Sequence, residues 1–148
     1  MSSHPRDFIG ESRRLNPAVR TFLVCHSYGS VVCARAAHGL RVADIVLCES
    51  PGTGYGNAAD LHTPATVRAG RGSDDWIADV PHMKRQPPFA DIGFATDPVS
   101  PEFGAEIFGA GDGSHSDYLK PGSLPLKNIA RIVAGTAKSA EPSGERHA

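Results

Sequence analysis

Ser27 has the strongest chemical signature in this chain. It lies in the run CHSYG at residues 25–29, between a short apolar segment and a stretch rich in alanine and valine. Residues 22–25 suit a strand buried on both faces, and residues 30–38 suit a buried helix that Gly39 can end. So tight a strand-to-helix turn forces the serine into a strained backbone conformation and exposes its hydroxyl at the carboxyl edge of the sheet. A serine held in this way is suited to attack a carbonyl carbon.

The turn matches the G-x-S-x-G pattern of a nucleophile elbow except at its first position. Cys25 stands where the first glycine is usual, and Gly29 occupies the second glycine position. Glycine is usual at both because a side chain is expected to collide with the neighbouring strand or helix. Cysteine is small and tolerates burial, so Cys25 is compatible with the same turn. The alternative is an ordinary Ser-Tyr-Gly turn, but the strand and the helix that an elbow requires both flank Ser27.

A serine hydroxyl is a weak nucleophile and needs a base, which in turn needs an acid to orient it. His115 is the best-placed base, because it lies in a glycine-rich loop, residues 109–116, before a predicted closing helix. His26 is expected to point away from the nucleophile, and His38 to interact with the last carbonyls of its helix. The other histidines lie too close to the predicted acid or near the chain ends: His62, His82, His4 and His147.

Asp75 is the preferred acid, since it lies in the loop that follows a predicted strand at residues 65–69. Asp74 is the next alternative and Asp79 the third, and each has an alternative role as a solvated carboxylate that caps a helix. The order serine, acid, histidine, with each residue in a carboxyl-edge loop, allows all three side chains to converge.

A metal site is the lesser alternative for the same region. Asp112, His115 and Asp117 are close in sequence, but no known ligand spacing is present. We therefore expect neither a metal ion nor a cofactor.

Composition narrows the class of protein. The 148 residues allow one domain, and a formal net charge of −1 without a basic run disfavours nucleic acid as a partner. No apolar run is long enough to span a membrane, and the first residues lack the apolar core of a signal peptide, so the expected location is the cytoplasm. Three cysteines in apolar runs are expected to be buried, reduced thiols: Cys25, Cys33 and Cys48.

The predicted elements alternate between strands and helices. Further strands are predicted at residues 42–48, 65–69 and 103–108, and a closing helix at residues 124–134. Its inward face is predicted to hold Leu126, Ile129, Ala130 and Val133. The pattern indicates an α/β fold with a mostly parallel sheet, and the proline-rich residues 82–101 are expected to cover a site.

Six segments carry a resemblance to a known family: HSYGS at 26–30, ESPGTG at 49–54, DDWI at 74–77, TDPVSPEFGAEIF at 96–108, HSDY at 115–118 and SLPLKNIARIVAG at 123–135. Together, from about residue 23 to residue 135, they resemble the bacterial α/β-hydrolase family labelled domain of unknown function 1023. The resemblance implies hydrolysis of an ester or similar acyl bond without a cofactor. It implies Ser27 as nucleophile, Asp75 as acid, His115 as base, and the backbone N–H of Tyr28 as an oxyanion-hole donor.

The chain departs from that family at Cys25 and at Phe94-Ala95, where a His-Gly pair is usual. The resemblance also implies that N-terminal strands are missing from this chain, since only about twenty residues precede Phe22. We therefore expect a polar N-terminal segment at 1–20, the C-terminal part of a hydrolase domain at 21–135 and a disordered tail at 136–148.

The elbow strand is then expected to lie at an open sheet edge, which a second copy or a partner chain would cover. Two functions follow from the sequence. The first is a serine hydrolase, and the second is a catalytically inactive half-domain that needs a partner chain to fold.

Overall fold

The computed structural model describes residues 4–74 and 94–136. The elements in chain order are α1 (Pro5–Leu15), β1 (Phe22–His26), α2 (Gly29–Ala36), β2 (Asp44–Cys48), a 3₁₀ helix (Ala58–Leu61), β3 (Thr66–Gly70), β4 (Glu106–Ile107) and α3 (Leu124–Ala134). Several sequence predictions lie outside the described residues: the acids Asp75 and Asp79, most of the loop at 82–101, and the tail beyond residue 136.

The four strands form one parallel sheet in the order β1-β2-β3-β4. Val24 pairs with Val46, Val46 with Arg68, and Arg68 with Glu106. The predicted α/β fold with a parallel sheet is confirmed. Because the strands are parallel, the loops that follow them all leave from the same edge of the sheet.

The sheet is covered on both faces. Ile45 and Leu47 of β2 pack in one core cluster with residues of α1 and α2, including Ile9. Val46 and Cys48, which point to the opposite face, pack in a second cluster with residues of α3. All five residues of β2, including Asp44, are buried, as is usual for a central parallel strand.

β1 lies at an edge of the described sheet, with β2 as its neighbour. Val24 at the middle of β1 is 44% exposed, whereas its partner Val46 is fully buried. The prediction that residues 22–25 form a strand buried on both faces is therefore wrong, because β1 presents an apolar side chain at the edge of the described sheet.

Helix α3 has the predicted bounds because both of its ends are capped. The Ser123 hydroxyl accepts a hydrogen bond from Leu126 N–H, and Gly135 ends the helix with a left-handed backbone, φ 73°. The predicted inward face is confirmed at Ile129 and partly at Leu126, which is half-buried, but is wrong at the other two positions. Ala130 and Val133 are exposed, and the inward stripe instead includes Asn128 and Ile132.

The expectation of three reduced cysteines is also wrong. Cys25 of β1 and Cys33 of α2 form a disulfide, and only Cys48 is a free, buried thiol. Apolar surroundings alone do not indicate whether two cysteines meet in the fold. A helix that folds back on the strand before it, however, brings residues eight positions apart within bonding distance.

Candidate active site

Ser27 lies between the last residue of β1 and the first turn of α2. Its backbone is left-handed, with φ 54°, and Tyr28 follows as the N-cap of α2. A non-glycine residue in this region is strained, so the predicted strained turn is confirmed. Ser27 N–H donates to the Cys48 carbonyl at 3.0 Å, which fixes the turn to the end of β2. The Ser27 hydroxyl is partly exposed and makes no hydrogen bond within the described residues.

Cys25 and Gly29, the two outer positions of the elbow, were expected to have no space for a larger side chain. A Cβ at position 29 would meet no described atom within 4 Å outside its own helix. The expectation that a side chain at Gly29 would collide with its neighbours is therefore wrong. The Cys25 side chain is accommodated because its sulfur bonds to Cys33 of the helix that a collision would involve. The disulfide therefore ties together the strand and the helix on either side of Ser27.

The His115 loop is fixed to its surroundings at several points. The buried side chain of Asn128 donates to the Gly109 carbonyl at 2.8 Å, and Ser73 N–H donates to the Gly111 carbonyl at 3.0 Å. The Asp117 carboxylate accepts from the backbone N–H of Ser114 at 3.0 Å and from its hydroxyl at 2.9 Å. The hydrogen bond from the Ser114 N–H, and then that from its hydroxyl, lower the pKa of Asp117. The Asp117 carboxylate therefore stays ionised, and able to accept both bonds, at a lower pH than an ordinary aspartate.

The side chain of His26 lies against the predicted base and its loop. Its ring lies 4.6 Å from the His115 ring and stacks on Tyr118 at 4.3 Å, with 9° between the two planes. Its Nε2 is 2.9 Å from the backbone carbonyl oxygen of His115. Strand geometry explains this direction of the side chain. His26 is still the last residue of β1, so its side chain takes the strand alternation toward the face that carries Tyr118 rather than the direction of a turn.

The acid of the predicted triad is not placed by the structure. Asp74 is exposed in the loop after β3, and Asp75 lies outside the described residues. A carboxylate that the sequence reading did not consider, Glu49, lies at the same edge. It is 2% exposed, has a left-handed backbone with φ 51°, and accepts from Gly72 N–H at 3.1 and 3.2 Å to its two oxygens.

Burial of a carboxylate is costly unless it is hydrogen-bonded, so Glu49 has a specific partner for a physical reason. Through Gly72 it holds the start of the loop that carries Asp74. Its position directly after a buried strand next to the elbow strand was a signal that could have identified it.

An aromatic pair lies beside the serine. The Tyr28 ring, 61% exposed, is 5.3 Å from the ring of Phe94, which is buried and also packs against Val31. The Phe94 carbonyl accepts from Gly54 N–H at 3.2 Å. Phe94, where the resembled family has histidine, therefore contributes an apolar surface next to the elbow.

The remaining features are at the opposite edge. The rings of His38 and His62 lie 5.6 Å apart, near the amino ends of β2 and β3, so neither joins the His115 loop. A cleft of about 370 Å³ also lies there, between α1 and residues 39–41, rather than beside Ser27.

The described residues contain neither a metal-binding cluster nor a membrane-spanning helix. In residues 4–74 and 94–136, no group of three or more His, Cys, Asp or Glu side chains is arranged to hold a metal ion. The same residues contain no helix with the length and apolar character needed to cross a membrane.

An α/β sheet with a strained serine at a strand-to-helix turn is the architecture of a hydrolase fold. The model of the family described as alpha/beta hydrolase matches residues 4–85, more than half of the chain. The chain belongs to the alpha/beta hydrolase family. No curated protein and no solved structure gives a significant match.

Proposed function

We propose that the chain is a serine hydrolase that cleaves an ester or a similar acyl bond. The observation that carries the proposal is the backbone of Ser27, φ 54°, in a two-residue turn between β1 and α2. This strain costs free energy and is retained where it presents a nucleophile. In this proposal Asp75 orients His115, His115 is the base, and Tyr28 N–H is an oxyanion donor.

The reaction proceeds in two halves. Ser27 Oγ attacks the carbonyl carbon as His115 takes the hydroxyl proton, and Tyr28 N–H donates to the negative oxygen of the tetrahedral intermediate. The carbon–oxygen bond to the alcohol breaks as His115 returns the proton to it. Water then attacks the acyl-serine, with His115 again as base, and releases the carboxylic acid and the free serine.

Three further features support the assignment. Tyr28 N–H makes no hydrogen bond within the described residues and lies at the N-terminal end of α2, where the helix dipole favours negative charge. The His115 loop contacts the end of β1 through His26. Catalytic hydrogen bonds often form only when substrate is bound, which is compatible with the unpaired Ser27 hydroxyl.

The proposal is tested with a fluorophosphonate probe and a p-nitrophenyl ester on the purified chain. We expect covalent labelling and hydrolysis in the parent, and neither in Ser27→Ala or His115→Ala. Asp75→Asn should lower the hydrolysis rate by up to about 10⁴-fold. His38→Ala is the matched control, since it removes a histidine from the opposite edge and should leave labelling unchanged. A folded parent without labelling, or a Ser27→Ala protein that keeps the parent's hydrolysis, would contradict the proposal.

A second function is favoured by the open edge at β1. Val24 is 44% exposed on a strand that has one neighbouring strand in the described sheet, so a half-domain that pairs with a second copy or a partner chain is the alternative. Sedimentation velocity distinguishes the two. The alternative requires a concentration-dependent dimer or a chain that stays unfolded alone, and an active, folded monomer excludes it.

Three narrower assignments belong to the same proposal. We infer membership of the bacterial family labelled domain of unknown function 1023, a cytoplasmic location, and a boundary between residues 20 and 21 with a tail from residue 136. Limited proteolysis tests the boundaries, because cleavage should concentrate near residue 20 and beyond residue 136. Since Ile9 of α1 packs in the main core cluster, resistance near residue 20 would place α1 within the domain.

A further inference from the structure

The base of the proposed triad lies in a loop that has little rigidity of its own. Residues 109–116 contain three glycines, which leave the backbone many conformations unless other parts of the fold hold it. Asn128 holds this loop at Gly109 and Ser73 holds it at Gly111, both at a distance from His115 along the chain. Nearer to His115, the hydrogen bonds between Ser114 and Asp117 close a turn around it. These bonds lie within the loop, so the position of His115 relative to Ser27 depends on a contact between the loop and the elbow.

His26 makes that contact. Its Nε2 lies 2.9 Å from the His115 carbonyl oxygen, and because a carbonyl can only accept, Nε2 must carry the proton. The ring of His26 is in turn held by Tyr118, which stacks on it at 4.3 Å. Since His26 directly precedes Ser27, the hydrogen bond joins the nucleophile's own turn to the backbone of the base.

We propose that His26 is a positioning residue that holds His115 in register with Ser27 through the Nε2–H donor. The inference rests on the proposed function, and it adds to the site a second histidine, which acts on the backbone of the base rather than on the substrate. Displacement of a catalytic group by about 1 Å can cost about 100-fold in rate. A single hydrogen bond to the backbone of the base is therefore sufficient to affect the reaction.

Two substitutions distinguish the contribution of the His26 N–H donor from that of its aromatic ring. His26→Gln keeps a side-chain N–H at a reach similar to that of Nε2 but removes the ring, whereas His26→Phe keeps a ring that can stack on Tyr118 but removes the donor. We expect His26→Phe to lower kcat and the labelling rate by about 10- to 100-fold with little change in KM. His26→Gln should stay within about threefold of the parent, and the control His38→Phe should match it.

The order of the loop is measured separately from activity. In His26→Phe the heteronuclear NOE of the His115 amide should fall toward values typical of a mobile loop, while His26→Gln and His38→Phe keep the parent's value. General destabilisation does not explain a His26→Phe protein that is folded but inactive beside a His26→Gln protein that is active. Only the loss of the N–H donor distinguishes these two variants in the expected way.

The outcomes discriminate between this inference and the proposed function. If His26→Phe labels at the parent's rate with an ordered His115 amide, or if His26→Gln is as impaired as His26→Phe, the hydrogen bond is not the device and the inference is overturned. If the parent itself is never labelled, the proposed function fails. The amide order in the two variants then still decides whether His26 holds the loop.

Discussion

Gly72 approaches Gly113 so closely that a Cβ on Gly72 would lie 1.8 Å from the Gly113 carbonyl oxygen. The backbone N–H of Gly72 is also committed, since it donates to both oxygens of the buried Glu49 carboxylate. The loop after β3 and the His115 loop therefore touch backbone to backbone. This contact sets the distance between the region of the proposed acid and the proposed base.

Gly72→Ala is expected to separate the two loops. A Cβ has no space between Gly72 and Gly113, and overpacking of a well-packed site costs about 1–3 kcal/mol. We expect the free energy of unfolding to fall by that amount and probe labelling to fall by at least about 10-fold. Urea unfolding and the labelling rate measure the two effects.

Gly10→Ala is the matched control for this substitution. A Cβ on Gly10 meets nothing within 4 Å, and alanine is favoured over glycine in a helix by about 1 kcal/mol. The control should be as stable as the parent or more so, with unchanged labelling. A Gly72→Ala protein that behaves like the control would contradict the close approach.

The Cys25–Cys33 disulfide is expected to stabilise the elbow. It closes a loop of residues separated by eight positions, for which chain entropy gives about 2–3 kcal/mol. Addition of a reductant should lower the urea midpoint of the parent accordingly. The Cys25→Ala/Cys33→Ala protein is the control, and its midpoint should not respond to the reductant.

Thiol counting tests the same bond in the cell. With disulfide present, alkylation of the denatured chain without reductant should modify Cys48 alone, and alkylation after reduction should modify all three cysteines. Disulfides are rare in a reducing cytosol, so the bond and the expected cytoplasmic location disagree. If all three cysteines are alkylated without reductant in rapidly quenched cells, the disulfide is absent in the cell. If Cys48 alone is alkylated, the disulfide is present and the cytoplasmic location is contradicted.

Cys48 is expected to be unreactive in the folded protein. Burial, and then the negative charge of Glu49, raise the pKa of the Cys48 thiol to about 12. The folded thiol keeps its proton where the unfolded thiol loses it, so stability should fall as the pH rises from about 9 toward 12. Iodoacetamide should modify it only at the rate of unfolding, and Cys48→Ala should have a flatter stability profile over that range. Alkylation of the native protein at the rate of a free thiol would contradict this burial.

Much of the fold could be predicted because it depends on local signals. The apolar residues at 42–48 predicted the buried strand β2, and apolar periodicity predicted the span of α3. The inward face of α3 could not be predicted, because a polar residue, Asn128, occupies the core side to bond the Gly109 carbonyl. Apolar periodicity assigns such a residue to the surface.

The site was predictable to a smaller extent for a related reason. Ser27 was found because its strain is a property of one short turn, which local sequence encodes. The roles of His26 and Glu49 depend on contacts with residues 89 and 23 positions away, respectively. The disulfide between Cys25 and Cys33 likewise depends on how α2 packs on β1. Spacing along the chain does not carry these relationships.

Ser30, three residues after the nucleophile, has a hydroxyl that contributes no hydrogen bond to the fold. The side chain is fully buried, and its Oγ has no partner within the described residues. A buried hydroxyl without a partner costs about 1–3 kcal/mol relative to an apolar group of the same shape. Ser30→Ala removes that cost and introduces a better helix former in the first turn of α2.

We therefore expect Ser30→Ala to raise the free energy of unfolding by about 1 kcal/mol, and the melting temperature by about 2–4 °C. Ser100→Ala is the contrasting variant, because the Ser100 hydroxyl donates to the Asp97 carbonyl at 2.6 Å and its loss should lower stability. Calorimetry of the two variants beside the parent gives opposite shifts if the hydroxyls differ as described. A Ser30→Ala protein that melts below the parent would show that this hydroxyl has a partner in solution.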